Sequence, residues 1–226
     1  MTRSPFGRTP LSLIATAYAR APKVRGSTPW RQAPFCVIDL ELSGLDPNRD
    51  EIISFAAVPI DGGRVVAGDA VYGLCRPTRP LPEKSTLIHG IRTVDLVEAP
   101  PLEQAIQPLV AAMTGRVAVA HSAWVEQSFL LQPFARLGVR LRNPWLDTSD
   151  LGRLFAHDRR RPLTSSSLEA LATSLRLPVH RPHHALGDAL TTAQVFIALA
   201  THLDRADPET VRSLARAKER VRLHES

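Results

Sequence analysis

The chain has 226 residues, of which 44% are hydrophobic, and it carries a formal net charge of +6. This length suits one α/β domain with extra segments, and no apolar run reaches the roughly 18–20 residues needed to span a membrane. Two cysteines, Cys36 and Cys75, are too few for a disulfide framework, and we interpret them as reduced and buried. The basic balance favours an anionic partner such as nucleic acid, and we expect a cytoplasmic protein.

The first part of the chain is predicted to form an arm followed by strands. Residues 1–33 are rich in proline, arginine and serine and are interpreted as an N-terminal arm, with one helix predicted at 10–21. Three strand-like segments follow, at 34–42, 51–60 and 63–77. The Asp-Gly-Gly triplet at 61–63 is a hairpin signal, and the other turn is also short, so we predict antiparallel pairing.

The second part of the chain alternates helices and strands before it becomes helical. The predicted helices lie at 101–115, 122–138, about 149–156, 166–175, 184–203 and 208–222, and the predicted strands at 116–121 and within 139–150. Strands first, then helices alternating with strands, predict an α/β fold with a five-stranded mixed sheet and helices on both faces.

The strand at 34–42 carries two acids, Asp39 and Glu41, close to its carboxyl end. Because side chains alternate along a strand, both carboxylates point to the same face. The carboxyl ends of central strands are where ligands bind in open α/β sheets. Two carboxylates there repel each other, and a hard divalent cation relieves that repulsion. Taken alone, this D-x-E pattern also fits two exposed acids without a function.

Further candidate residues begin two later helices. Glu126 lies near the start of the helix after the fourth strand, and Asp188 lies in the first turn of the helix at 184–203. His183 comes five residues before Asp188, and an imidazole takes up a proton near neutral pH. Together, four acids and a histidine in this order predict a two-metal site for phosphodiester chemistry, with Mg²⁺ or Mn²⁺ as the two ions.

The complete pattern resembles the DnaQ-like 3′–5′ exonucleases of the DEDDh class, which include the proofreading epsilon subunit of bacterial replicative polymerase, RNase T and oligoribonuclease. The stretches that carry the resemblance are FCVIDLELSGLDPNRDEIISFAAVPI (35–60), STLIHGIRTVDL (85–96), VAVAHSAWVEQSFL (117–130), WLDTSDLGRL (145–154) and HHALGDA (183–189). The resemblance covers roughly residues 34–205 and implies a ribonuclease H-like fold.

The resemblance also assigns roles. It implies that Asp39, Glu41 and Asp188 bind the first metal, that Asp39 bridges to the second, and that Glu126 belongs to the second site. His183 would be the general base on the attacking water. The implied contacts with the 3′ end of the substrate are Leu42, Ser43, Gly44, His89 and Ser122.

The chain departs from the family pattern at two places. Glu126 stands where the family usually has aspartate, and Leu42-Ser43 replace the usual Thr-Thr after Glu41. The longer Glu126 side chain has one more torsion to order, which puts the level of activity in question. Leu42 either packs under the terminal base or faces the core.

These observations predict a metal-dependent 3′–5′ exonuclease acting on single-stranded nucleic acid, with DNA favoured over RNA. A catalytically weak nucleic-acid-binding or polymerase-docking module, and an exoribonuclease acting on short RNA, remain as alternatives. The predicted partners are single-stranded DNA or RNA 3′ ends and a DNA polymerase, without a membrane. The arginines at 159–161 and the helix at 211–224 are the candidate phosphate contacts. The predicted organisation is an arm at 1–33, an exonuclease domain at 34–205 and a charged helix at 206–226.

Overall fold

The computed structural model of the protein describes residues 11–159, 165–205 and 207–225. The strands are β1 (Phe35–Leu42), β2 (Ile52–Asp61), β3 (Arg64–Val65), β4 (Val71–Leu74), β5 (Val117–Ala120) and β6 (Trp145–Asp147). The helices are α1 (Leu11–Arg20), α2 (Glu83–His89), α3 (Leu102–Ala105), α4 (Gln107–Met113), α5 (Trp124–Arg136), α6 (Thr148–Asp158), α7 (Leu168–Ser174), α8 (Ala185–Leu203), α9 (Val211–Ala215) and α10 (Ala217–Glu225).

The strands form one mixed sheet, as predicted. Its order is β3-β2-β1-β5-β6, and β4 also pairs with β2. β1 and β2 are antiparallel, whereas β1, β5 and β6 are parallel. The β2–β3 hairpin turns through Gly62 and Gly63, whose φ angles of 60° and 71° suit a two-residue turn of the primed type.

The prediction of five strands is wrong by one. The segment predicted as a single third strand at 63–77 divides into β3 and β4, because a 3₁₀ turn at Ala67–Asp69 separates them. The small residues of this turn offer little apolar surface to the sheet, and the chain leaves β2 at one end and rejoins it further along. The described part of the sheet therefore has six strands.

Helices cover both faces of the sheet, and each face has its own apolar core. The face of β1 that carries Phe35 and Val37 packs against α8, whereas the face that carries Cys36 and Ile38 packs against the α4 and α5 side. Because β1 is buried on both faces, its sequence is a nearly continuous apolar run, and Asp39 and Glu41 interrupt it.

Residues before the sheet pack against it at two points. Tyr18 of α1 is buried in the core on the α4 side, and Trp30 is buried beside Phe196 on the α8 side. The Trp30 N–H donates to the carbonyl of Glu209, and the Arg212 N–H donates to the carbonyl of Gly26. The segment before β1 is thus hydrogen-bonded to the segment that begins α9. The predicted domain boundaries at 33 and 205 stay predictions.

Candidate active site

Three carboxylates converge at the carboxyl end of β1. Asp39 and Glu41 point to the α8 side of the sheet because they are two residues apart on one strand. Asp188 comes from the first turn of α8. One carboxylate oxygen from each of the three lies within 4.8 Å of the others. The structure therefore brings together three of the acids that the sequence marked as metal ligands.

Glu126 approaches the same cluster from the neighbouring strand. β5 lies parallel to β1 and ends at the same edge of the sheet, so the start of α5 comes close to Asp39. The Glu126 side chain is buried, and its charge raises the pKa of Asp39. Glu126 lies outside the group of three whose oxygens fall within 4.8 Å. It therefore lies beside this group and not within it.

The electrostatics of the cluster disfavour four bare carboxylates. Burial, followed by the charges of Glu126, Glu41 and Asp188, raises the pKa of Asp39 well above its usual range. Burial raises the pKa of Glu41 to about 7, with a further contribution from Asp188. Burial also raises the pKa of Glu126 to about 8, and it raises that of Asp188 to about 6 against the lowering effect of the His183 backbone N–H. Desolvation and like charge together favour protonation of these groups unless a cation is bound.

Several oxygen atoms of the cluster are left without a hydrogen bond. Glu41 Oε1, Glu126 Oε2 and Asp188 Oδ1 are buried and have no partner among the described residues. Buried polar atoms are almost always paired, so orphaned atoms that share one site point to a missing ligand. Carboxylate oxygens are the donors that hard divalent cations prefer. The residues present therefore fit a divalent metal, as the family resemblance implies.

His183 borders the cluster on the α8 side. It lies in the loop that leads into α8, with a φ of 57°, and its backbone N–H donates to Asp188 Oδ2 at 2.9 Å. This hydrogen bond ties the histidine to one of the carboxylates. The charge of His183 also lowers the pKa of His89, after the larger effect of burial, which places the two imidazoles near each other.

A largely apolar cavity of about 480 Å³ lies next to the acids. Four of the predicted substrate contacts line it, namely Leu42, Ser43, Gly44 and His89. Residues that the sequence did not mark also line it: Leu40, Leu45, Pro82, Lys84, Ser85, Ile88 and Val125. Glu41 connects the cavity wall to the acidic cluster. The cavity and the carboxylates therefore form one continuous site.

His89 presents a donor to this site. Its Nδ1 accepts the Ile91 N–H at 3.0 Å, so the proton of the neutral imidazole resides on Nε2. Nε2 is buried and has no partner in the described part of the chain. Burial lowers the pKa of His89 and favours the neutral form. A neutral N–H donor in the cavity wall suits a hydroxyl or phosphate oxygen of a bound ligand.

The loop after β1 is closed by Asp50. Its carboxylate accepts the Ser43 Oγ–H at 3.2 Å and the Asp46 N–H at 2.9 Å. A Cβ atom on Gly44 would lie 2.4 Å from Asp50 Oδ2, so a larger residue at 44 would displace the Asp50 carboxylate. The backbone at 42–44 is therefore held at the rim of the cavity.

Sequence reasoning did not find the role of Asp147. Its carboxylate accepts the backbone N–H groups of Ser122 and Ala123, both at 3.0 Å, and that of Ser149 at 2.8 Å. It therefore fixes the starts of both α5 and α6. The Asp-Thr-Ser sequence was a detectable cap signal for α6, but the reach to 122–123 depends on the pairing of β5 with β6. Ser122 has a φ of 64° and is not among the described residues that line the cavity.

The candidate phosphate contacts are placed only in part. Arg160 and Arg161 lie outside the described residues, and the Arg159 guanidinium stacks over Phe155. In the C-terminal helix, Arg220 pairs with the buried Glu209 at 2.7 Å. That pairing gives Arg220 an internal partner.

The topology and the acidic site define a class of protein, the ribonuclease H-like nucleases. The profile of the RNase T family, described as an exonuclease, matches residues 36–196. The chain therefore belongs to this exonuclease family and contains an exonuclease domain.

The relatives by sequence carry DNA polymerase III names. The chain is 36% identical over 175 residues to a DNA polymerase III subunit epsilon-like protein of Rhodobacter capsulatus, which aligns 76% of this chain with 24% of that protein. It is 35% identical over 166 residues to a PolC-type DNA polymerase III of Thermotoga maritima, which aligns 73% of this chain with 12% of that protein. It is 30% identical to the DNA polymerase III epsilon subunit of Aquifex aeolicus, over 75% of this chain and 81% of that protein. The chain thus spans a quarter or less of the first two relatives.

Solved structures share the fold. Exonuclease X in complex with 5′-overhanging duplex DNA matches with a TM-score of 0.63 and 25% identity, covering 81% of this chain and 99% of that one. Escherichia coli exonuclease I in complex with a dT13 oligonucleotide matches with a TM-score of 0.68 and 19% identity, covering 77% of this chain and 42% of that one. The second likeness is one of fold. Among the residues described, no helix combines the length and apolar character that crossing a membrane requires.

Proposed function

We propose that this chain removes nucleotides from the 3′ end of single-stranded nucleic acid by hydrolysing phosphodiester bonds, with DNA favoured over RNA. The observation that carries the proposal is the joining of orphaned, convergent carboxylates to a cavity large enough for a nucleotide. The DNA preference is supported by the relatives, which are named as DNA polymerase III components.

In this proposal the acids hold two Mg²⁺ or Mn²⁺ ions. Asp39, Glu41 and Asp188 hold the first, and Asp39 shares the second with Glu126, consistent with the burial of Glu126 near Asp39. When bound, the ions supply Lewis-acid activation of water and neutralise charge on the leaving oxygen. Binding them requires the four carboxylates to be ionised, which their raised pKa values oppose in the free protein.

The other residues orient the substrate and move the proton. The cavity takes the terminal nucleotide, with its base against the apolar wall that includes Leu42. The backbone at 42–44 and the N–H of His89 Nε2 meet its sugar oxygens. His183, tied to Asp188 through its backbone, takes the proton from the attacking water. The leaving oxygen remains on the shortened strand as its new 3′ end.

The experiment uses 5′-labelled single-stranded DNA and RNA of equal length with Mg²⁺, Mn²⁺ or EDTA. We expect a metal-dependent ladder that shortens from the 3′ end, faster on DNA, and its loss in Asp188→Ala. Asp69→Ala, which removes an exposed acid outside the described cluster, is the control and should retain activity. Faster cleavage of short RNA than of DNA would replace the DNA preference with an exoribonuclease.

A binding module is the rival function, and Glu126 in place of aspartate is the observation behind it. Nucleic-acid binding without turnover under every metal would support that rival and refute the exonuclease. A polymerase partner is proposed only from the named relatives. Co-migration of the chain with a replicative polymerase subunit in gel filtration would test it.

A further inference from the structure

The loop that carries His183 has an unusual backbone. Arg181 and His183 have φ angles of 28° and 57°, in the region that residues with a side chain rarely adopt. Such conformations persist only when the surrounding structure holds them, and they cluster at functional sites. The contacts around residues 180–184 therefore determine where the proposed base sits.

Helix α8 holds one side of this loop. The His183 N–H donates to Asp188 Oδ2 at 2.9 Å, and the His180 N–H donates to Thr191 Oγ1 at 2.9 Å. Gly187 lets the loop lie directly against the helix, because a Cβ there would be 2.5 Å from the carbonyl oxygens of both His180 and Arg181. These contacts with α8 hold the backbone of the loop on its inner side. They do not involve the outer edge of the loop.

Tyr72 of β4 holds the outer edge. In the sheet register Asp39 lies opposite Ala56, and Ala56 lies opposite Tyr72. All three side chains therefore point to the α8 side of the sheet. The Tyr72 ring stacks on the His184 imidazole, with centroids 4.8 Å apart and planes 15° from parallel. His184 occupies the N-cap position of α8, yet its side chain makes no capping hydrogen bond within the described part of the chain.

We propose that Tyr72 is a positioning residue for His183. Tyr72 stacks on His184 and thereby holds the strained loop against the acidic cluster. The inference rests on the proposed function, because it gives His183 the role of base. Nothing in the stack uses the phenol hydroxyl, for which the described residues provide no hydrogen-bond partner. The aromatic ring is therefore the part that matters.

A double-mutant cycle tests this inference. The proteins are wild type, Tyr72→Ala, His183→Ala and the double variant, with Tyr72→Phe as the conservative control. We expect Tyr72→Ala to lower kcat by about tenfold, since misplacing a catalytic group by about an ångström costs up to about a hundredfold. KM should change less than about twofold, Tyr72→Phe should restore kcat, and Tyr72→Ala should cost nothing further when His183 is absent.

Each contrary result has a definite meaning. An equal loss of kcat from Tyr72→Ala with and without His183 would show that Tyr72 does not act through His183, and would overturn the inference. A rise in KM in place of a fall in kcat would make Tyr72 a substrate contact, which also overturns it. The Mn²⁺ affinity measured by calorimetry should be the same in Tyr72→Ala as in wild type. A weaker affinity would mean that the loss of kcat arises from a displaced Asp188 and not from His183.

The cycle also separates this inference from the proposed function. His184→Ala removes the other ring of the stack and should reproduce the loss in kcat even if Tyr72→Ala folds poorly. A retained kcat in a folded His184→Ala protein would count against the stack. Wild-type protein that makes no 3′-shortened products, or His183→Ala with undiminished kcat, would refute the exonuclease or its base before Tyr72 was at issue.

Discussion

The two ends of the central strands differ in how their acidic and amide side chains are hydrogen-bonded. At the carboxyl end of β1, oxygens of Glu41, Glu126 and Asp188 are buried without a hydrogen-bond partner among the described residues. At the amino end, Asn143 Nδ2 donates to the carbonyls of Met113 and Arg116 at 2.7 and 2.8 Å. We call the first end incomplete, because these carboxylate oxygens lack a partner, and the second complete with respect to the Asn143 amide, although the indole N–H of Trp145 there is also buried without a partner among the described residues.

The amino end forms a connected network. The Arg116 guanidinium donates to both carboxylate oxygens of Asp61, at 2.7 and 3.0 Å, and to the Phe35 carbonyl at 3.2 Å. The Tyr18 hydroxyl donates to Asn143 and accepts the Arg142 N–H. Satisfied groups of this kind stabilise the fold, and removing one partner leaves the other desolvated. The difference teaches that polar residues at one end support folding, and that those at the other end need a ligand to be satisfied.

The largest expected effect is the loss of activity from a substitution at the incomplete end. Asp39→Asn should reduce hydrolysis by about a thousandfold or more, because a bound cation is worth several kcal/mol to the transition state. It should also raise the Tm of the metal-free protein near neutral pH, since it removes a carboxyl group whose ionisation is disfavoured in the folded state by burial and by the neighbouring carboxylates. Single-turnover kinetics and a thermal melt in EDTA measure the two effects. A lower Tm would mean that the Asp39 carboxylate is a structural partner.

The next largest expected effect is a loss of stability from a substitution at the complete end. Asn143→Ala should lower the free energy of unfolding by about 1–3 kcal/mol, because it leaves the Arg116 carbonyl without a donor among the described residues and removes one of the two donors of the Met113 carbonyl. Urea denaturation measures the loss, and activity per folded molecule should change less than about twofold. Arg140→Ala, which removes an exposed neighbour, is the control. A large loss of activity in folded Asn143→Ala would show that the two ends are coupled.

The third effect is a pH dependence of the metal-free protein. The pKa values of Asp188, Glu41 and Glu126 are raised to about 6, 7 and 8, whereas unfolded carboxyls titrate near about 4. Between about pH 4 and 8 the folded state therefore binds more protons than the unfolded state. The contribution of these three groups to stability is highest below about pH 4, and it falls as the pH rises to about 8. We expect the Tm in EDTA to fall by roughly 5 °C over pH 5–8, and Mn²⁺ to remove the slope. Glu126→Gln should flatten it in part, and a Tm that rises over this range in EDTA would contradict the assignment.

The smallest expected effect is a change in the rate at which the two cysteines are labelled, which compares local opening at the two ends. Cys36 and Cys75 are free and buried, and burial raises both thiol pKa values to about 12. Their labelling therefore requires local opening. Cys36 is the second residue of β1, at the complete end, whereas Cys75 follows β4, whose Leu74 pairs with Ser54 near the acids. Mn²⁺ should slow labelling of Cys75 a few-fold and leave Cys36 unchanged, as measured by mass spectrometry. Equal slowing of both would indicate a global effect.

The central part of the fold was predictable because its signals are local. Alternation along one strand places Asp39 and Glu41 on one face, and the apolar run at 116–121 marks a covered strand beside them. Positions near two helix starts marked Glu126, Asp188 and His183 as candidates, and the motif resemblance then assigned their roles. The structure places all of them at one edge of the sheet.

The features that escaped prediction depend on pairings between distant segments. Tyr72 reaches His184 only through the register of β4 on β2, and the prediction had merged β3 and β4 into one strand. Leu45 and Ile88 enter the cavity wall because α2 folds over the loop after β1, and no helix was predicted at 83–89. Side-chain alternation shows which face a residue occupies, but it does not show which neighbour covers that face.

Gly187 has a practical consequence. The loop that carries His183 rests on this residue with no room for a methyl group, whereas the cavity beside the acids is lined by other parts of the chain. An alanine at 187 would therefore shift the histidine and leave the cavity intact. Under the proposed function, the variant protein would then hold a strand without cutting it. Such a variant is a substrate trap, and sequencing the nucleic acid that it retains from a cell extract would identify its natural target.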